Sequence, residues 1–400
     1  MSASTFTTAT QLTRAQTFAM AVCAGIAVAN IYYNQPLLGL IEASYPNSSA
    51  IGLIPTATQF GYAVGLLLLV PLGDLVERRR VITVQFIVLA VALAFAAVAP
   101  STSALIVASL LLGVSATVAQ QIVPFAATLA DNRTRGAAVG TVVSGILGGI
   151  LLSRTIAGFV GSHFGWREMF WLGAPLALGA AALVRLTLPR HHATQEIGYA
   201  AALRSLVHLV IEEPALRLAA ATQAMLFASF IAFWTVLSLH LQEPEFGLGP
   251  EIAGLFGVIG ASGILAAPLA GRLADKRGPH LVVAIAAAIT LSSWIVFAGW
   301  NALAGLTVGV VLLDVGVNAA LVSNQHLIFA LRPEARSRLN TVFMTAMFMG
   351  GSLGSLGGSW AYAHLSWLGV CAYGAALATA GLLLQLPTLL SRTGWKASHH

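Results

Sequence analysis

The chain has 400 residues, of which 58% are hydrophobic and only 8% charged, with a formal net charge of +6. Its mean hydropathy is +0.84. This composition excludes a soluble globular domain, which would need far more polar surface, and the basic excess comes without the aromatic-basic surface module that nucleic-acid binding requires.

The first sixteen residues, MSASTFTTATQLTRAQ, are polar, carry one arginine and lead into an apolar run with no small-residue cleavage site behind it, so no removable signal peptide is expected. A hydrocarbon core demands about 20 apolar residues per spanning helix. Twelve such runs follow, near 17–41, 50–72, 81–99, 103–130, 136–162, 166–188, 215–242, 251–273, 280–300, 302–330, 337–362 and 366–390. Strand-type alternation is nearly absent, and long Leu/Ala/Val/Gly runs satisfy their backbone groups internally only as helices. The expectation is an all-α polytopic membrane protein with twelve transmembrane helices. Cys23 and Cys371 fall inside predicted helices 1 and 12, which argues against a disulfide framework and against a metal site.

Of the 20 Lys and Arg residues, all but Arg154 and Arg167 lie at the termini or in the connections after helices 2, 4, 6, 8 and 10. Basic residues are retained on the cytoplasmic side, so both termini are expected there, in the inner membrane of the cell.

The connection after helix 2, GDLVERRR (73–80), matches the one after helix 8, GRLADKRG (271–278), at a shift of 198. A shift of 201 pairs Arg135 with Arg336 and Trp166 with Trp367. Two pseudo-symmetric six-helix bundles follow, residues 1–188 and 215–400. A linker at 189–214 joins them, and its Leu203, Leu206, Val207 and Val210 have the spacing of an amphipathic helix at the membrane surface.

The motif G-x-L-x-[D/E]-[R/K], present twice in a chain of this plan, resembles the major facilitator superfamily over essentially the whole length. Within that family, the stretch NIYYNQP (30–36) and the glycine-rich helix 5 running into Gly165, Trp166 and Arg167 look like bacterial exporters of the drug:proton antiporter branch. The resemblance implies a central cavity lined by helices 1, 4, 7 and 10, with helices 2 and 11, and 5 and 8, meeting across the halves. It also implies a gating role for Gly73, Asp74, Glu77 and Arg78 and for Gly271, Asp275, Lys276 and Arg277. In that role Glu77 would face the partially positive start of helix 11, and Asp275 that of helix 5. The chain departs from the branch in two places: helix 5 lacks a Gly-Pro pair, and Ser109 stands where an arginine usually precedes the glycine of helix 4, here Gly113.

Small residues recur at Gly145, Gly149, Ser153, Ala157 and Gly161 of helix 5 and at Gly350, Gly354 and Gly358 of helix 11. Helix 8 carries Gly254, Gly257, Gly260 and Gly263, and helix 2 carries Gly61, Gly65 and Gly73. Such stripes permit close approach, either at a seam along which the halves rock or in static packing.

Ionisable residues at membrane depth are costly and mark function. Arg154 and Asp314 are the clearest, and both are candidates for proton coupling. Around them, Asn30, Tyr33 and Asn34 share one face of helix 1, Gln120 and Gln121 precede Pro124, Gln223 and Trp234 share a side of helix 7, and Asn318 and Gln325 follow Asp314 on helix 10. These are the expected cavity residues, with helix-helix hydrogen bonding as the competing account of the amides.

The functional expectation is a secondary transporter, and not an enzyme, that exports a small organic solute by alternating access in exchange for protons. It would work as a monomer in the bilayer without metal or cofactor. An uptake symporter or uniporter is the alternative, and a non-transporting sensor a weaker one. No Ser/His/Asp arrangement, His-Glu-x-x-His pattern or nucleotide-binding G-x-x-x-x-G-K-[ST] is apparent. The cavity walls of helices 1 and 4 hold no acid, and Arg154 adds a cation, which favours a neutral polar or anionic solute.

Overall fold

The computed structural model describes residues 12–131, 133–190 and 198–397, with the side chains of 74, 264, 265, 267 and 391–397 outside that description, including the gating candidate Asp74. The described residues are helical almost throughout. Helices 1 to 6 are Arg14–Ser44, Leu53–Gly73, Arg78–Ala97, Thr102–Leu129, Arg135–Phe164 and Trp166–Thr187. A linker helix, Tyr199–Glu212, follows. Helix 7 is Pro214–Leu241, helix 9 is Pro279–Gly299 and helix 10 is Leu303–Leu331. Helix 8 comes in two pieces, Pro250–Gly260 and Ser262–Arg277.

The last helical run, Arg336–Ala397, leaves helical geometry at Ser366 (φ 56°, ψ −161°). Tyr373 Oη donates to the Leu353 carbonyl at 3.0 Å, twenty residues back. A straight helix would put those groups about 30 Å apart, so the chain reverses at Ser366 and the run holds helices 11 and 12. The architecture is all-helical and compatible with twelve crossings.

The shift of 201 has physical content. Arg135 Nε donates to the carbonyl of Ala127 at the end of helix 4, and Arg336 Nε to that of Phe329 at the end of helix 10, each at 3.0 Å. Both cap carbonyls that helix ends leave unsatisfied. The same shift takes Gly165, at φ 112° and ψ 163° between helices 5 and 6, onto Ser366. That backbone region is essentially restricted to glycine and costs other residues about 1–3 kcal/mol. Ser366→Gly is therefore expected to stabilise the protein by roughly 1 kcal/mol, seen as a higher melting temperature in detergent. A lower one would show that the serine side chain is the reason for the geometry.

The start of helix 1 and the end of helix 6 share a face, the terminal face, with the linker helix. Gln16 Nε2 donates to the Thr187 carbonyl (2.8 Å), Arg79 Nη1 to the Leu188 carbonyl (3.1 Å), and Tyr199 Oη to the Leu68 carbonyl (2.8 Å). On this terminal face Arg332, at the end of helix 10, pairs with Glu212 and Glu213 at 2.9 and 2.6 Å. Its hydrogen bonds to Glu212 and then Glu213 raise the guanidinium above its ordinary value.

Contacts between helices 1–6 and helices 7–12 concentrate towards the opposite face. Thr56 Oγ1 donates to Ser355 Oγ (3.0 Å), Ser238 Oγ to the Pro36 carbonyl (2.8 Å) and Thr155 Oγ1 to the Gly254 carbonyl (3.1 Å). Ser162 bonds Glu251, and Gly52 packs on Ser359. The Tyr62 and Phe348 rings meet at 4.2 Å near the middle of helices 2 and 11.

Most glycine stripes do not lie on this seam. Gly145 and Gly149 of helix 5 pack on the backbone of Ala21 and Gly25 in helix 1, and Gly350, Gly354 and Gly358 of helix 11 pack on Ala224, Ala228 and Ala232 in helix 7. Gly61 and Gly65 of helix 2 meet Leu110 and Val114 of helix 4. Their packing is internal to each set of six, because a continuous i, i+4 stripe suits two helices locked along their length. The cross-seam contacts of helices 5 and 8 instead use Gly158, Gly254 and Gly257, which approach Pro250 and Arg154.

Candidate transport cavity

A cavity of about 410 Å³ lies between the two sets of helices. Its lining runs from Arg154 and Asp314 at mid-depth to Val123, Phe329 and Asn340, near the ends of helices 4 and 10 and the start of helix 11. All three mark the terminal face, so the cavity opens there while the halves meet on the other side.

Of the residues expected from the sequence, Gln120, Arg154, Gln223, Asp314, Asn318 and Gln325 line this cavity. Asn30, Tyr33, Asn34, Gln121 and Trp234 are not among its lining residues. Helix 1 is the cause for the first three. Pro36 has no N–H to give and its ring crowds the carbonyl four residues earlier, that of Tyr32. The helix accordingly breaks over 30–33, where Ile31 and Tyr32 bond three residues back, to Val28 and Ala29 (3.3 and 3.1 Å).

The break slips the helical phase. Tyr32 enters the cavity, while Tyr33 turns to a groove beside helix 5. Asn30 bonds the Ile26 carbonyl (2.6 Å), and Asn34 donates to Thr58 Oγ1 (2.9 Å) in helix 2. Gln121 bonds Gln85 Oε1 (2.7 Å) and the Leu69 carbonyl (3.0 Å), joining helices 4, 3 and 2. Trp234 stands behind Arg154, beside a small void with Gln35 and Ser238.

Arg154 is only 3% exposed. Its Nε donates to Gln35 Oε1 (2.8 Å), and its Cζ lies 4.5 Å from the Tyr32 ring centroid and 4.0 Å from that of Trp234. Two desolvated cation–π contacts, each worth about 2 kcal/mol, thus hold the guanidinium between helix 1 and helix 7. One nitrogen, Nη2, has no partner. Tyr32 and Gln35 were legible only through Pro36: moving the phase of helix 1 at the proline would have placed them.

Asp314, 5% exposed, has an unpartnered Oδ2. Among the described residues no ion pair joins it to Arg154. Gly260 sits against both Asp314 and Trp234: a Cβ there would lie 3.1 Å from Asp314 Oδ1 and 3.0 Å from Trp234 Cζ2. The carboxyl therefore stands at the edge of the indole that carries the guanidinium on its face. The remaining polar groups are mostly paired nearby. Gln120 Nε2 donates to Tyr62 Oη (3.3 Å), Gln325 Nε2 to Asn340 Oδ1 (3.4 Å) and Asn318 Nδ2 to the Asp314 carbonyl (2.9 Å). Gln223 Oε1 accepts from Asn324 (3.2 Å) and leaves its Nε2 free. Much of the remaining wall is aromatic and apolar, from Phe227, Phe230, Phe348, Met344 and Met347.

The gating candidates find partners close at hand. Glu77 precedes the first turn of helix 3 and pairs with Arg79 (3.4 Å), while Asp275 pairs with His326 of helix 10 (3.3 Å). Arg78 Nε donates to the Gly73 carbonyl at 3.0 Å. With the cavity open on this face, the two acids are held within their own sets of six helices.

The Major Facilitator Superfamily profile matches residues 17–330 and 218–395. The transporter YgaY of Escherichia coli O157:H7 is 40% identical over 368 residues, covering 91% of this chain and 93% of its own. The chloramphenicol resistance protein of Streptomyces lividans is 33% identical over 265 residues, 61% of this chain and 63% of that one. In fold, the chain is similar to a bacterial homologue of the human lysosomal transporter Spinster in an inward-facing, occupied conformation (TM-score 0.70, 12% identity, 94% and 96% of the two chains). It is also similar to a D-xylose-proton symporter (TM-score 0.69, 16% identity, 92% and 96% of the two chains). The all-helical fold, the profile match and the 40% identity to YgaY make this chain a member of the major facilitator superfamily, a multi-pass membrane transporter.

Proposed function

We propose that the protein exports a small organic solute across the bacterial inner membrane by alternating access, in exchange for protons. The observation that carries this reading is the pair Arg154 and Asp314, each with a free polar atom in one buried cavity that opens on a single face. The sorting of basic residues favours the terminal face as the cytoplasmic one, so the solute would load from the cell interior. A permanent cation and a carboxyl facing one cavity can couple two movements. Solute bound at the pair and a proton bound at Asp314 compete, and each conformational crossing carries one or the other. This route dispenses with the helix-4 arginine replaced here by Ser109. Likeness to a chloramphenicol resistance protein supports efflux as the direction and offers a first solute to try.

The test is reconstitution into liposomes with an imposed pH step. Chloramphenicol, or another member of a panel of small amphiphilic solutes, is expected to move against the proton flux. Solute movement that ignores the pH step would remove the exchange, and no movement of any solute in the panel would remove transport of this class.

A further inference from the structure

The cavity holds a guanidinium and a carboxyl, both almost fully buried, and no ion pair joins them among the described residues. Each presents an unpartnered atom, Arg154 Nη2 and Asp314 Oδ2. A solute carrying a single charge would satisfy one of them and leave the second buried without a counterpart, which is the costly arrangement. A neutral apolar solute would leave both. A ligand with a cation and an anion on one small framework answers the two together with charge-assisted bonds, the stronger kind.

The spacing suits such a framework. Trp234 lies under the guanidinium at 4.0 Å. Its Cζ2 and Asp314 Oδ1 lie 3.0 and 3.1 Å from the same point above Gly260. The indole thus touches the guanidinium on its face and comes near the carboxyl at its edge, and a side chain at Gly260 would press on both Trp234 and Asp314. Beyond the pair the wall turns to Tyr62, Phe227, Phe230 and Phe348 with two methionines, and the whole encloses about 410 Å³. That lining favours an apolar group attached to the charged end.

Resting on the reading of this cavity as the solute site, we propose that the solute is a zwitterion of the α-amino-acid kind with a large apolar side chain. Its carboxylate pairs with Arg154 and its ammonium with Asp314. The planar guanidinium, locked on one edge by Gln35, offers Nη2 to a carboxylate oxygen. Protonation of Asp314 then releases the ammonium, which joins solute departure to proton entry.

The experiment compares three ligands of one shape by intrinsic tryptophan fluorescence of the purified full chain: L-phenylalanine, phenethylamine, which lacks the carboxylate, and 3-phenylpropionate, which lacks the amine. L-Leucine, L-methionine and L-tryptophan extend the side-chain series. Losing one partner of a buried charge pair costs roughly 30-fold or more in affinity. At least one of the amino acids is expected to bind, and the phenylalanine series to favour the zwitterion over both single-charge analogues by that factor. Arg154→Gln is expected to erase the preference over phenethylamine, and Asp314→Asn the preference over 3-phenylpropionate. A single-charge analogue binding as tightly as phenylalanine, or no binding by any of the four amino acids, overturns the proposal, and the wild-type ligand series decides this even if a variant fails to fold. The same preparation in liposomes separates the two readings. Proton-driven chloramphenicol flux without amino-acid binding leaves export standing and removes the zwitterion. Amino-acid binding without flux of any solute does the reverse.

Discussion

Arg154→Ala is expected to reduce proton-driven flux by about a hundredfold or more while the protein still folds. The size follows from what the guanidinium does: its removal takes away the cation of the cavity, its two aromatic contacts and its bond to Gln35, and a hydrogen bond to a charged group alone contributes about 1.5–3 kcal/mol. Folding survives because the guanidinium itself ends on Tyr32 and Trp234 beside the cavity, while alanine keeps the backbone and Cβ of residue 154 on which Gly254 and Gly257 of helix 8 pack. Arg154→Lys is expected to fail nearly as badly. An ammonium keeps the charge but cannot lie flat between two aromatic rings while donating sideways to Gln35. Flux in liposomes and melting temperature in detergent together decide the matter. Undiminished flux in a folded Arg154→Ala protein would mean that the arginine only bridges helices 5 and 7.

Gly254→Val is expected to shift the balance between conformers without destroying the fold. A Cβ at 254 would lie 2.5 Å from the Arg154 carbonyl oxygen, a backbone atom that cannot rotate away. Helices 5 and 8 must then part on the side where the halves now meet. Overpacking of this kind costs about 1–3 kcal/mol, or roughly 5–150-fold in a conformational equilibrium. Cysteine placed at Gln223, inside the cavity, reports the shift as faster labelling from the face opposite the termini. Gly354→Val is the control: its Cβ would strike Ala228 within the C-terminal set of helices, so it should lower the melting temperature and leave the ratio of labelling from the two faces unchanged. Equal changes in that ratio for both variants would erase the distinction between a moving seam and static packing.

The glycine stripes show where sequence reasoning stops. Their i, i+4 spacing correctly marks close helix approach, yet nothing in the spacing says which helix approaches. Helices 1 and 7 offer alanines and a glycine in register with helices 5 and 11, and that pairing is visible only in three dimensions. Overall helix content and near-complete positions were legible because hydrocarbon thickness imposes run lengths on the sequence. In the cavity, Arg154, Asp314 and four amides could be singled out as polar exceptions to an apolar pattern. Tyr32 and Gln35 could not, because a uniform 3.6-residue period was carried from Asn30 to Asn34, across the stretch ahead of Pro36 where the real helix breaks. Phe227 and Phe348 were silent for the opposite reason, since an aromatic residue in an apolar helix departs from nothing.

The side on which the halves now meet is fastened by hydroxyls and carbonyls: Thr56 to Ser355, Ser238 to Pro36, Thr155 to Gly254. Each such bond contributes only about 0.5–1.5 kcal/mol net, since water replaces it when it opens. Among the described residues the charged groups in contact across the halves are the Glu251 carboxylate on Ser162 and the Arg154 guanidinium on Trp234, and opening these links separates no ion pair. The two end states can therefore lie close in free energy, with neither requiring a large input to leave. Salt, which screens ion pairs across a Debye length of about 8 Å at physiological strength, has little purchase on this fastening. A transporter so built can be tipped by the modest binding energy of one solute or one proton, and its turnover should respond to what fills the cavity far more than to the ionic strength outside.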